Sequence, residues 1–166
     1  PSAGELATIL TVASRVPDHG KLAPWRFVVF AGRARERASR LALYICLTDK
    51  PDLGEAARAE EQRRFVRAPL VVAVVSRAAP HPKIPQWEQV LSAGAACMNM
   101  IVAARARGLS ATWLTGWPAY DARLRAAIGL AEHERVAGFI HIGRTTAAIE
   151  DRPRPPLAEI VTRFPE

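Results

Sequence analysis

Seven consecutive residues, Pro69-Leu70-Val71-Val72-Ala73-Val74-Val75, carry no polar side chain. A run of this length rich in β-branched residues reads as a strand, and a strand without alternation has both faces covered. The chain must therefore lay packed structure on each side of a central sheet. With 166 residues it has enough material for one such domain, spanning 1–166, and too little for two.

The flanking segments supply the covering layers. Ser2 and Glu5 form a Ser-x-x-Glu capping box ahead of Ala7-Ile9-Leu10-Val12-Ala13, so a helix is predicted from about Ala3 to Ser14. A strand follows near Trp25–Phe30. An amphipathic helix then runs from Gly32 to about Leu47, with Ala38, Leu41, Ala42 and Ile45 on its apolar side. Pro51 suits the first turn of a further helix, and residues 52–66 are charged enough to be peripheral. Trp87–Ala106 is the longest helix. Its centre, Ser92-Ala93-Gly94-Ala95-Ala96-Cys97-Met98-Asn99-Met100, is poor in charge all round, which predicts burial. Small residues there suit either a symmetry mate or tight packing within one subunit. Gly108 ends that helix, Leu109–Leu114 is a short strand, and Asp121 caps a helix to Ile128 that stops at Gly129. Arg135–Ile142 is the last core strand. Beyond Thr145 a Pro-rich tail leads to Ile160–Phe164, which has strand character and would wrap a neighbour or fray.

Composition excludes several classes. The net charge is +7, yet only Lys21, Lys50 and Lys83 are lysines, and the arginines are scattered through an Ala- and Arg-rich chain. That is a compositional bias rather than a nucleic-acid-binding stripe. No apolar run approaches the roughly 20 residues of a membrane span. The N-terminus has no basic and apolar leader pattern, so a cytoplasmic location is expected. Cys46 and Cys97 are too few for a disulfide framework or a metal site and sit in apolar helical patterns.

Chemistry is harder to place. There is no phosphate-binding glycine loop and no His/Cys cluster at metal spacing, and His19, His81, His133 and His141 are dispersed. His141 falls in a strand, as a core or interface residue, and His133 in a charged, solvated turn. A chain without an acid, base or nucleophile constellation points to a cofactor as the source of reactivity. The polar segment Arg15–Phe27, between a helix and a strand, could hold a ligand or be an ordinary Pro-punctuated connection.

Taken in order, several stretches resemble the FMN-dependent nitroreductase family, in particular its short single-domain branch. They are Arg15-x-Pro17-Asp18-His19-x(4)-Pro24-Trp25-x-Phe27, Arg67-Ala68-Pro69, and Lys83-x-Pro85-x-Trp87-Glu88 with Ser92-Ala93-Gly94. Trp113-x-Thr115-Gly116 and Val136-x-Gly138-Phe139-Ile140-x-Ile142-Gly143 complete the series. The resemblance implies an α+β fold: a mostly antiparallel sheet flanked by helices, as an intertwined homodimer with FMN at the subunit interface. The C-terminal extension, 150–166, would pack on the partner subunit, with Ile160–Phe164 as a strand of the partner's sheet. The implied activity uses NADH or NADPH to reduce a small-molecule acceptor, nitroaromatic or quinone-like, by a ping-pong cycle with the chemistry on flavin N5 and no catalytic side chain.

Position by position, Arg15 and His19 match loop contacts to FMN. Trp113, Leu114, Thr115 and Gly116 match the segment along the flavin, with a backbone N–H near Thr115 or Gly116 facing N5. Arg144 matches a phosphate contact. Without the family, Arg15 is a helix C-terminal charge, Thr115-Gly116 a turn, and Arg144 a solvated arginine. Trp25 reads as packing. The family's N-terminal Arg-Arg-Ser element does not precede Ser2, so it lies upstream of Pro1 or FMN is held weakly or not at all. The rival expectations are a non-redox or degenerate flavin-binding dimer and a basic nucleic-acid-binding protein.

Overall fold

A computed structural model describes residues 1–145, 147 and 151–165. Four strands, β1 (Trp25–Ala31), β2 (Leu70–Ser76), β3 (Ser110–Leu114) and β4 (Arg135–Gly143), form one sheet in the order β1-β2-β4-β3. Every neighbouring pair is antiparallel. All seven residues of β2 are buried, as an unbroken apolar run requires of an inner strand.

Helices cover both faces. On one lie α1 (Ala3–Ala13) and α4 (Gln86–Ala106), packed on each other and on Val72, Val74, Ile140 and Ile142. On the other lie α2 (Arg33–Asp49), α3 (Glu55–Arg63) and α5 (Ala122–Ala127), over Val71, Ala73, Val75 and Phe139. Phe65, just past α3, stacks edge-on to Phe139 with ring centroids 5.2 Å apart. Fully burying such side chains stabilises by roughly 1.5–3 kcal/mol each.

The local signals act as expected at most ends. Ser2 and Glu5 form a reciprocal capping box on α1, and Asp121 accepts the N–H groups of Arg123 and Leu124 to start α5. Pro51 is a correction. It does not open a helix: Leu53 N–H returns to the Lys50 carbonyl, Arg58 donates to the Pro51 carbonyl, and α3 starts only after Gly54. A turn that satisfies the local backbone wins over proline's preference for a helical first turn.

The second correction concerns α4. Gln89, Ser92, Ala93, Ala96, Cys97, Met100, Ala103 and Ala104 are buried, a face of helical period. Trp87, Val90, Leu91, Met98 and Val102 are exposed, so the charge-poor surface is buried on one side only. Among the described residues, one chain supplies a single layer beneath this helix and nothing above it.

At the tail, Leu157–Ile160 forms a one-turn helix, α6, and Val161 resumes extended backbone. The strand expected over Ile160–Phe164 is not formed within the chain, because a strand needs a ladder and this segment stands exposed. Residues 150 and 166, the limits of the expected extension, lie outside the described residues. Among the described residues no helix is long and apolar enough to cross a membrane.

Candidate functional site

The loop from Arg15 to Pro24 is built from within and held from α4. Inside it, the Asp18 carboxylate accepts the N–H of Leu22 at 3.0 Å and of Ala23 at 2.9 Å, closing a tight turn over His19–Lys21. Lys21 (φ 57°) and Ala23 (φ 44°) adopt left-handed backbone, a conformation that costs a non-glycine residue roughly 1–3 kcal/mol. From α4, Ser92 Oγ donates to the Pro17 carbonyl at 2.6 Å and accepts from Trp25 Nε1 at 3.0 Å. Asn99 Nδ2 donates to the carbonyls of Val12 and Arg15, and Glu88 Oε2 lies 2.7 Å from His19 Nδ1. Trp25, stacked on Phe27 and tied to Ser92, is packing as expected. Arg15 and His19 project into solvent from this braced loop.

The second group lies on the edge strand β3. Trp113 donates its indole N–H to the Ala137 carbonyl at 3.1 Å, where a register shift between β2 and β4 bulges the chain. Its ring lies flat against Gly138: a Cβ there would fall 2.1 Å from Trp113 Nε1, so only glycine admits the indole. Trp113 and Leu114 remain more than a third exposed. Gly116 follows with φ 73° and ψ −173°, a backbone closed to most side chains, and its carbonyl accepts Ala119 N–H to close the next turn.

Arg144 follows β4 at Gly143, which pairs with Ser110 at the start of β3. Thr115 and Arg144 therefore flank opposite ends of that edge strand, roughly 15 Å apart at the strand rise. Arg144 is engaged by Glu5 Oε1 at 3.2 Å, so a phosphate would have to share its guanidinium. The seven expected site residues thus fall at three stations rather than in one cluster. The loop of Arg15 and His19 leads into β1, and Trp113–Gly116 belongs to the opposite edge of the sheet.

Behind the Thr115 turn, on the other face, lies a polar group that sequence reasoning missed. Arg64 Nε donates to Glu61 at 2.7 Å, and Trp117 Nε1 lies 3.2 Å from both oxygens of the same carboxylate. Burial pushes the Glu61 carboxyl up, but the bonds from Arg64 and Trp117 prevail and hold it below the ordinary range. A pocket beside them is lined by Arg64, Arg67, Thr115, Pro118 and His141. His141 is buried, its Nδ1 has no hydrogen-bond partner among the described residues, and burial reinforced by Arg67 and Arg64 lowers its pKa to about 4. No sequence signal marks this group, since a Glu-Gln-Arg-Arg run reads as a solvated helix end. His133 is exposed in its turn. Burial pushes the Cys97 thiol up to about 12, which leaves it a small hydrophobe.

Taken singly, these groups could each meet part of an anionic aromatic ligand: cations at Arg15 and Arg144, an imidazole at His19, and an exposed indole beside a glycine turn; within one chain they do not converge.

Comparison with known proteins gives the same direction. The model of the nitroreductase family matches residues 1–144. The Escherichia coli (strain K12) protein named "Putative NAD(P)H nitroreductase YdjA" is 34% identical over 143 residues, covering 86% of this chain and 77% of that protein. Among solved structures, a nitroreductase-like family protein from Bacillus cereus superposes with a TM-score of 0.81 at 25% identity, covering 99% of this chain and 86% of that one. A nitroreductase with bound FMN from Bacteroides fragilis has a TM-score of 0.71 at 20% identity, covering 99% and 88%.

Proposed function

The chain belongs to the nitroreductase family, and from that premise we propose that it is an FMN-dependent oxidoreductase that takes electrons from NADH or NADPH. It passes them to a small nitroaromatic or quinone-like acceptor in a ping-pong cycle. The observation that carries this reading is the open edge of β3: exposed Trp113 and Leu114 running into a left-handed glycine, with Arg144 beside the strand's other end. When bound, FMN supplies the hydride and electron transfer at N5.

The chain's own residues bind and orient. The backbone N–H groups at Thr115 and Gly116 would face the flavin's N5 edge, and a donor aimed there would favour the reduced form. Arg144 and Arg15 offset negative charge through their guanidinium donors. Trp113 and Leu114 present apolar surface along the ring. None of these side chains acts as acid or base.

Because the Arg15–His19 loop and the β3 edge stand apart within one chain, we assign a homodimer in which one subunit's loop completes the other's edge. The apolar outer stripe of α4, from Trp87 to Val102, is the surface that would meet its counterpart. The tail beyond residue 150 would pack on the partner, adding a strand to its exposed β1 edge.

The test is the absorption spectrum after FMN addition and desalting, then anaerobic NADH or NADPH. Retained flavin that bleaches, and regains colour with a quinone or nitroaromatic, is the expected result. Retained flavin that neither nicotinamide bleaches makes the chain a non-redox flavin binder. A protein that stays colourless, here and in a chain extended upstream of Pro1, overturns the assignment.

A further inference from the structure

Glu88, Ser92 and Asn99 all bond to the Arg15–Ala23 loop from α4, and meet His19, Pro17 and Arg15 in turn, so loop and helix run in opposite directions. Ser92 and Asn99 hold backbone carbonyls and fix the path of the chain. Glu88 differs, because its partner is a ring with two distinguishable nitrogens.

An ionised carboxylate has no proton to give, so in a 2.7 Å contact His19 Nδ1 is the donor. A neutral imidazole that carries its proton on Nδ1 presents Nε2 as a bare acceptor. The other charged groups of the loop do not compete for the ring. The Asp18 carboxylate is taken up by the N–H groups of Leu22 and Ala23, and His81 Nδ1 accepts Lys83 and Ile84 within its own turn. The His19 side chain is 63% exposed, so Nε2 is open to a ligand.

We propose that Glu88 is a positioning residue acting through His19. It holds the ring as the Nδ1–H tautomer and turns Nε2 outward to accept a hydrogen bond from a ligand O–H or N–H. The identity of that ligand rests on the flavin reading above, and within FMN the matching donors are the ribityl hydroxyls and the ring N3–H. Phosphate and carbonyl oxygens, which need a donor, are excluded as partners of the neutral ring. The tautomer itself does not depend on that reading.

Long-range 1H–15N NMR on the full chain, at about pH 8 and so above the ordinary imidazole range, reads the tautomer directly. His19 is assigned by comparison with H19A. The same samples are titrated with FMN by quenching of flavin fluorescence. Wild type is expected to give the Nδ1–H pattern, E88A to lose it, and E88Q, whose amide oxygen accepts the same bond, to keep it. FMN affinity should fall about tenfold in E88A, the loss of roughly one hydrogen bond, and stay within about twofold of wild type in E88Q. An Nε2–H pattern in wild type, or one unchanged in E88A, overturns the proposal. Equal FMN affinity in wild type, E88A and H19A overturns the ligand role of Nε2. An Nδ1–H pattern present in wild type and lost in E88A, in a protein unable to bind FMN, supports Glu88's hold on the ring and defeats the flavin reading alone.

Discussion

The two faces of the sheet are finished in opposite ways. On the side of α2, α3 and α5, charges close on one another: Arg123 spans Asp49 and Asp121, Arg64 holds Glu61, and Arg67 reaches Glu60. Of the exposed large hydrophobic residues, α2 carries Tyr44, whereas α4 on the other side carries Trp87, Val90, Leu91, Met98 and Val102. A surface closed by its own ion pairs is complete in water, while a continuous apolar stripe awaits a partner. The difference teaches where to look for function. The water-finished face stabilises the fold, and the unfinished face carries the ligand loop.

The largest expected effect comes from a charge in the middle of the unfinished face. Met98→Glu should convert a wild-type dimer to monomer, raising the dissociation constant by at least about 100-fold, since an unpaired carboxylate would have to lose its water. Light scattering after size-exclusion chromatography decides it, and a variant that stays dimeric would move the interface off α4.

Next is the finished side's best-made ion pair. Arg26 Nε and Nη2 meet the two oxygens of Glu134 at 2.7 and 2.6 Å, and the Ala131 N–H adds a third bond. The Arg26 hydrogen bonds hold the Glu134 pKa down to about 2. A carboxyl whose folded pKa is depressed contributes stability above its unfolded value, near 4.5, and loses it as the pH falls towards 2. Allowing for the partly exposed Arg26, Glu134→Gln should cost about 2 kcal/mol at neutral pH, or about 4–8 °C in Tm. Thermal melts at pH 7 and pH 3 should show that cost shrinking with acid.

His141 gives a smaller, pH-shaped effect. Its folded pKa of about 4 lies below the ordinary 6.5, so stability is full above 6.5 and drains as the pH falls from there to 4. His141→Leu should remove about 1–2 kcal/mol of that acid dependence. A stability slope between pH 6.5 and 4 that is the same in both proteins would assign the drain to other groups.

The smallest effect is the control on α2. Tyr44→Glu should change stability by less than about 0.5 kcal/mol and leave the oligomeric state untouched. If it dissociates a dimer as Met98→Glu does, the contrast between the two faces is lost.

The fold was legible where the pattern is local. The unbroken apolar run gave the inner strand, Ser2 and Glu5 gave the start of α1, and Asp121 and Gly129 bounded α5. Pro51 misled because its turn is settled by Arg58, which reaches back to two carbonyls. The half-open surface of α4 was legible only as one of two alternatives, a symmetry mate or packing within the subunit, since composition reports how apolar a helix is and not how many layers meet it. For the candidate site, residues of the loop and of β3 could be nominated by resemblance. Their supports could not. Glu88 and His19 lie 69 positions apart, and Arg26 and Glu134 lie 108 apart. No periodicity connects residues at such distances.

The bracing of the loop also sets an order of events in the cell. Arg15 leaves the ribosome 84 residues ahead of Asn99, which holds its carbonyl, and Pro17 precedes Ser92 by 75. At about 5–20 residues per second, that gap lasts roughly 4–17 s. Throughout it the left-handed turns at Lys21 and Ala23 have only Asp18 to hold them and none of the bonds from α4. A nascent chain is therefore blind to its ligand until the long helix has emerged and docked, and loading belongs to the finished protein rather than to synthesis.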